Sequence, residues 1–421
     1  MNKTKKSHQL LKHFFILIVL VFSLGQLQRF QLTPNIAVYA HDLLIFAWLS
    51  WFAIVNRAMI GTYLKFIVDW FHSYRLIAML VIWVLAGMVL HFVVSGFVDL
   101  HPFLYLLRAM MYLALALASR KVLRPYYLRS FWTTAGLIIL ALGLLQYILL
   151  PDMRFLFIFG WDDHYYRLIS SLFDPAFTGM ILVFCFAYFY SLNFYPEEEQ
   201  RHLNFLQKPF FKILTLLLIA NGILLTYSRS SLLAFGIMVG LLGLAAARNI
   251  WRRRQSSWWK RKFILTALVM PPIMFGVYLA APKPGGLGVD MLRSETAQAR
   301  IDNSVAAVTR TTPKTLIIGE GLFTPTLTSS SIIGINHARV PDNLLVMLLT
   351  AVGIPGLFLS LYGLLALGLY LYRHDKILFS AYLGLLIHAQ FNNTLLQPFV
   401  LLYFLGGISS INHLANSGNA R

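Results

Sequence analysis

Cysteine is almost absent from this sequence: Cys185 is the one thiol in 421 residues, and it lies inside an apolar block. That excludes a disulfide framework and a cysteine metal site within one chain, and leaves packing as its role. Charge is scarce as well. Charged residues make up 12% of the chain against 58% hydrophobic residues, and the mean hydropathy is +0.68, outside the soluble globular range. Acids are scarcest, 16 Asp and Glu against 35 Lys and Arg. No His, Asp and Glu cluster has metal-ligand spacing, so no metal is expected. There is no glycine-rich nucleotide loop, no internal repeat and no soluble catalytic segment, so nothing is built to hold a cytosolic nucleotide sugar, and no cofactor is expected.

What the chain has instead is apolar blocks of about 18 to 22 residues, the length that crosses a hydrocarbon layer roughly 30 Å thick. Twelve spans are expected, at roughly 13–27, 36–55, 76–96, 101–118, 131–150, 176–194, 210–226, 230–247, 263–281, 343–371, 377–392 and 394–414. The first follows Lys3, Lys5, Lys6 and Lys12 in the manner of a signal peptide. It lacks a small-residue cleavage site before Gln28-Arg29, so it is expected to be retained. With the N-terminus in the cytoplasm, cytoplasmic segments together with Lys212 at the inner edge of a span hold 24 Lys and Arg, outer segments ten, and Arg108 lies within a span. This asymmetry satisfies the positive-inside rule and puts both termini in the cytoplasm. The densest run, Arg252-Arg253-Arg254 with Trp258, Trp259, Lys260, Arg261 and Lys262, reads as an anchor at lipid headgroups. No nucleic-acid partner is expected, because the basic residues lie in short clusters between spans. Segment 59–72, with Lys65 and Asp69 between apolar stretches, predicts an interfacial helix on the inner face. The expectation is an all-α polytopic membrane protein: spans one to nine over 1–281, a large extracytoplasmic loop over 282–342, and spans ten to twelve over 343–421. Within the loop 291–309 predicts an amphipathic helix.

Ten basic residues on the outer side exceed what topology requires. Arg154, Arg167, Arg229, Lys283, Arg293, Arg300, Arg310, Lys314 and Arg339 surround that end. Guanidinium forks grip phosphate in a two-pronged way, which suits a lipid diphosphate. The plainer alternative is headgroup contact and salt bridges with Asp162, Asp163, Glu295 or Asp302. Arg229 sits in the short turn Tyr227-Ser228-Arg229-Ser230 between two apolar helices, where it either meets an anion beside free helical N–H groups or snorkels to the headgroups. Arg108, two turns inside a span, needs a carboxylate or a ligand phosphate, and Asp42 is a plausible partner. Asp342, near the start of an apolar helix interrupted by Gly353-Ile354-Pro355-Gly356, is either a helix cap or a carboxylate placed to take a proton from a sugar hydroxyl. His337, Glu320 and His164 are further proton-transfer candidates. His388, beside Gln390 and Asn392, reads as a helix-packing donor.

Four local patterns occur in a telling order: Arg167-Leu168 through Ser171-Leu172-Phe173-Asp174-Pro175; Ser228-Arg229-Ser230; Arg300-Ile301-Asp302 with Pro313 and Gly319-Glu320-Gly321; and Asp342-Asn343, nine residues, then Gly353-x-x-Gly356. In these and in its spans and loops the chain resembles the O-antigen ligase/polymerase family, the Wzy-type membrane glycosyltransferases of the bacterial envelope. The resemblance implies a GT-C-like fold in the cytoplasmic membrane. It also implies an inverting, metal-independent transfer of an oligosaccharide from a polyprenyl diphosphate. On this resemblance Arg229 and Arg300 hold the diphosphate, with Arg167 and Arg293 as further candidates; taken with the residue readings above, Asp342, Arg229 and Arg300 are the catalytic candidates, and Arg167, Arg293, Arg108, Glu320, His337 and Asn343 the substrate-binding ones. The implied partners are the polyprenyl-diphosphate-linked oligosaccharide, membrane lipids, and a chain-length regulator and flippase of the same pathway. Ligases of the family carry His where this chain has Asp342, which favours repeat-unit polymerisation over ligation. A flippase or other secondary transporter is the competitor from another class. It is opposed by the lack of a second interrupted span to match Gly353–Gly356.

Overall fold

The computed structural model describes residues 3–33, 36–57, 75–94, 101–195, 208–252, 271–285, 295–322 and 341–411. The interfacial segment 59–72, most of the basic run 252–262, and Arg293, His337 and Arg339 lie outside the described residues. The elements, in chain order, are α1 (Lys3–Ser23), β1 (Arg29–Thr33), β2 (Ile36–Tyr39), α2 (Ala40–Val55), α3 (Arg75–Val94), α4 (His101–Val122), α5 (Pro125–Leu149), α6 (Pro175–Ser191), α7 (Pro209–Leu225), α8 (Arg229–Arg252), α9 (Pro271–Ala280), α10 (Glu295–Thr309), α11 (Pro313–Ile318), α12 (Leu344–His374), α13 (Lys376–His388) and α14 (Pro398–Ser409). Six of these are long and apolar enough to cross a membrane, within α1, α4, α5, α6, α8 and α12, and six shorter apolar helices accompany them. Each expected span overlaps one of the twelve. The chain is a helical membrane protein.

One part of the expected second span is not helical. Residues 29–33 and 36–39 pair as antiparallel strands with Arg29 opposite Tyr39 and Gln31 opposite Ala37, and α2 begins only at Ala40. Alternating Phe30, Leu32, Ile36 and Val38 flank Pro34-Asn35, a turn signal that a hydropathy window does not register.

The centre of the bundle is α6. Its apolar residues lie on every side rather than in one stripe, and 83% of its apolar window is buried, as a helix hydrophobic all round requires. Cys185 is fully buried there, its thiol 3.7 Å from Thr133 O. The helices run between two ends. At one, Ser171 Oγ donates to Ser23 O (2.8 Å), Leu168 N to Leu225 O (2.9 Å) and Gly285 N to Tyr165 O (3.2 Å). At the other, Arg129 pairs with Asp375 (2.6 Å), Arg120 donates to Ile411 O (3.3 Å), and the Lys12 ammonium stands 4.6 Å from the Tyr127 ring. Lys12 and Ile411 therefore share an end.

The helix break expected at Gly353–Gly356 is present, and its chemistry ties distant segments together. Gly353 has φ 68° and ψ −177°, inside α12. Beyond it Pro355 has no N–H, so the carbonyls just before the break lose their helical partners. Three outside donors replace them. Glu320 N donates to Thr350 O, Gly321 N to Ala351 O, and the Trp83 indole to Val352 O, each at 2.9 Å. The approach is so close that a methyl at Gly319 would run into the Ala351 carbonyl, and one at Gly353 into the Ile317 carbonyl. Gly319-Glu320-Gly321 and Gly353-x-x-Gly356, read separately in the sequence, are the two halves of one contact.

Gly353→Ala combines a left-handed φ with a backbone clash, and should lower stability by about 2–4 kcal/mol. Gly240→Ala, in a helix with nothing within 4 Å of the added carbon, should be neutral or slightly stabilising. Thermal unfolding in detergent, followed by tryptophan fluorescence, checks the pair: equal midpoints for the two variants would contradict this reading of the break.

Candidate functional site

At the first of these ends a cavity of about 530 Å³ is lined by Arg229, Ser230, Arg300, Asp342, Asn343 and Gln390, with Leu233, Ile301, Val305, Val346 and Phe391 as its apolar wall. The three residues singled out as catalytic candidates, scattered over more than a hundred positions, thus face one space.

Local structure explains each placement. Ser228 caps α8 by accepting from Ser231 N (3.3 Å), which puts Arg229 in the first helical turn. There Arg229 is exposed and lines the cavity. Arg300 and Ser304 lie one turn apart on α10, and Arg300 Nη2 donates to Asn392 Oδ1 (2.9 Å) while its Nε stands 3.6 Å from Asp342 Oδ2. Asn392 belongs to the irregular stretch between α13 and α14. Those helices have 13 and 12 residues, about 20 Å each, short of the roughly 30 Å apolar layer. Irregular backbone of this kind needs partners from the surrounding protein. The stretch is sewn to α12 by Leu344 N donating to Ala389 O (2.9 Å) and by Asn343 Nδ2 donating to Gln390 O (3.3 Å).

The helix cap expected of Asp342 falls to its neighbour. Asn343 Oδ1 accepts from Leu345 N (2.9 Å) and Val346 N (3.1 Å), so Asn343, entered above as a substrate-binding candidate, has a structural job while lining the cavity. The chain needs an extended residue at the cap, and Asn343 has that conformation at φ −81°, ψ 122°. Asp342 is left with its carboxylate on the cavity, its side chain 32% exposed. Burial raises its pKa above the ordinary carboxylate value, Arg300 pulls the other way, and Asp162 adds to the rise.

The other candidates lie elsewhere. Arg108 is satisfied by Asp42 (2.9 Å) and Ala37 O (2.7 Å), with the Tyr112 hydroxyl donating to the same carboxylate (2.7 Å): a structural salt bridge. Arg167 is buried away from the cavity lining, donates to Thr226 O (3.1 Å), and is held down to about 10 by burial. His164 is buried, and burial and Arg167 push it to about 3, so it stays neutral. Glu320 serves the helix break through its backbone, and its half-buried carboxyl is raised by burial against the pull of Arg310. Arg154 pairs with Asp152 at 2.6 Å on the surface. Among the described residues no group of three or more His, Cys, Asp or Glu is placed to hold a metal ion.

Sequence reasoning missed the support around the arginines. Asn392 and Ser230 hold the site together, and His388 stands behind them. The available signal was the polar trio His388, Gln390 and Asn392 in otherwise apolar sequence. No family model matches this chain, and no curated protein matches it.

A raised carboxyl pKa binds a proton more tightly folded than unfolded. Stability therefore falls as pH rises from the unfolded value through the folded one. Asp342→Asn escapes that loss, so at pH 7.5 the variant should be as stable as the unsubstituted protein or more so, with the advantage shrinking toward pH 4.5. A lower unfolding temperature for Asp342→Asn at pH 7.5 would show that the carboxylate is structural.

Proposed function

We propose that this chain is a membrane glycosyltransferase of the bacterial cytoplasmic membrane, with twelve spans and both termini cytoplasmic. It polymerises polyprenyl-diphosphate-linked oligosaccharide repeats of a surface polysaccharide at the outer face. The observation that carries the reading is the convergence of Arg229, Arg300 and Asp342 on one cavity with an apolar wall. A lipid diphosphate matches both halves of that lining: two guanidinium groups for its phosphates, and Leu233, Val346 and Phe391 for the first part of its chain.

In this chemistry the acceptor hydroxyl attacks the anomeric carbon of the donor. The new glycosidic C–O bond forms as the bond to the diphosphate breaks, and the configuration inverts. The hydroxyl proton passes to the Asp342 carboxylate, which burial makes a stronger base than an ordinary carboxylate. The electron pair leaves with the diphosphate, where Arg229 and Arg300 offset the developing charge. A carboxylate at position 342 favours polymerisation over ligation, on the resemblance described above.

The test is polymer made by membranes supplied with the lipid-linked repeat, at matched protein level. Asp342→Asn should reduce transfer by about 100-fold or more. Arg229→Lys, which keeps the charge but loses the fork, should cost about tenfold or more. The product should be a ladder of lengths on the lipid carrier. A single-step product would point to a ligase, and a fully active Asp342→Asn protein would remove the base from the mechanism.

A further inference from the structure

Behind the cavity lies a chain of hydrogen bonds whose directions can be worked out atom by atom. Thr394 Oγ1 donates to Asn392 O (2.8 Å), so toward His388 Nδ1, 2.7 Å away, it can only accept. Nδ1 therefore carries the imidazole proton, and Nε2 offers a lone pair. Ser230 Oγ lies 3.1 Å from Nε2 and accepts from Asn392 Nδ2 (2.8 Å), which leaves its own proton for the imidazole or for Ser228 Oγ at 3.2 Å. Ser231, also 3.1 Å from Nε2, has Ser228 Oγ (2.8 Å) and Ala176 O (3.2 Å) as alternative acceptors. With its Nδ2 committed to Ser230, Asn392 turns Oδ1 toward Arg300 Nη2, at 2.9 Å. The reverse amide orientation would put an NH₂ group against the guanidinium.

We propose that His388 is a positioning residue: through Ser230 and Asn392 it fixes the guanidinium of Arg300 over the cavity beside Asp342. His388 and Thr394 are fully buried and Ser230 is 7% exposed, so the inner links are shielded from bulk water. Asn392 sits in irregular backbone, where nothing in a helical ladder would fix its side chain. The links join α8, α13 and the stretch before α14 to the arginine on α10, four segments that no local rule holds in register. An arginine fixed in advance loses less freedom when it grips an anion, which is the gain such support supplies. The role rests on the lipid-diphosphate reading of the cavity.

A double-mutant cycle separates positioning from packing. Farnesyl diphosphate is the probe, and its binding to the full-length protein in detergent is measured by calorimetry for the unsubstituted protein, His388→Phe, Arg300→Gln and the double variant. His388→Phe should weaken binding about tenfold when Arg300 is present and have little effect when it is Gln. If His388→Phe lowers the unfolding temperature markedly, Thr394→Val, isosteric and at the far end of the chain, carries the same cycle. Equal losses in both backgrounds, or no loss in either, would overturn the positioning role and leave the diphosphate site standing. Arg300→Gln that binds as tightly as the unsubstituted protein would overturn the diphosphate site itself, and the positioning role with it.

Discussion

The site depends on a broken helix and the backbone that repairs it. A left-handed Gly353 followed by Pro355 strips the helical partners from carbonyls 350 to 352, and a buried carbonyl without a donor costs about 1–3 kcal/mol. Glu320 N, Gly321 N and the Trp83 indole meet that need. The repair fixes α11 against α12 and so sets where α10 lies, and with it Arg300. Asp342 stands at the start of the same broken helix, one residue before its cap. The arginine and the carboxylate are brought to 3.6 Å by a contact that touches neither of them.

Charge inside the bundle follows a simple division. Arg108 with Asp42, and Arg129 with Asp375, are short buried pairs, the second through Arg129 Nη2 alone, with Nε and Nη1 buried and without a hydrogen-bond partner. Removing either partner would leave a buried charge without compensation. Asp375 also caps α13, accepting from Ile377 N and Leu378 N, so that pair ties two helices at the end away from the cavity. At the cavity the pairing is looser. Arg300 and Asp342 are each about one-third exposed and far enough apart for a ligand oxygen to compete. The close pairs tie helices together; the loose one faces the cavity.

The helical, membrane-type character of the chain was legible because length and apolarity decide membrane helices almost by themselves. Arg229, Arg300 and Asp342 were legible as charges on one topological side. Their convergence was not, since it depends on the Gly319–Gly321 contact with the break, and nothing in either glycine pattern names the other as partner. The cap went to Asn343 rather than Asp342 because adjacent side chains of nearly equal capping strength are separated only by backbone angles. The pairing of 29–33 with 36–39 was hidden by a window that averages hydropathy over alternation. His388 read as a helix-packing residue and does bridge two helices, to Ser230 and Ser231, but that its contact leads on to Asn392 and Arg300 depends on residues up to 158 positions away. Local chemistry was readable, and long-range pairing was not.

The central claim is that two arginines from α8 and α10 share one diphosphate across the cavity in front of Asp342. Cryo-electron microscopy of the protein in nanodiscs with a bound polyprenyl diphosphate tests it most directly. The account predicts phosphate density between Arg229 and Arg300, with the prenyl chain along Leu233, Val346 and Phe391. Density for the diphosphate away from both arginines, with the cavity closed by side chains, would contradict it.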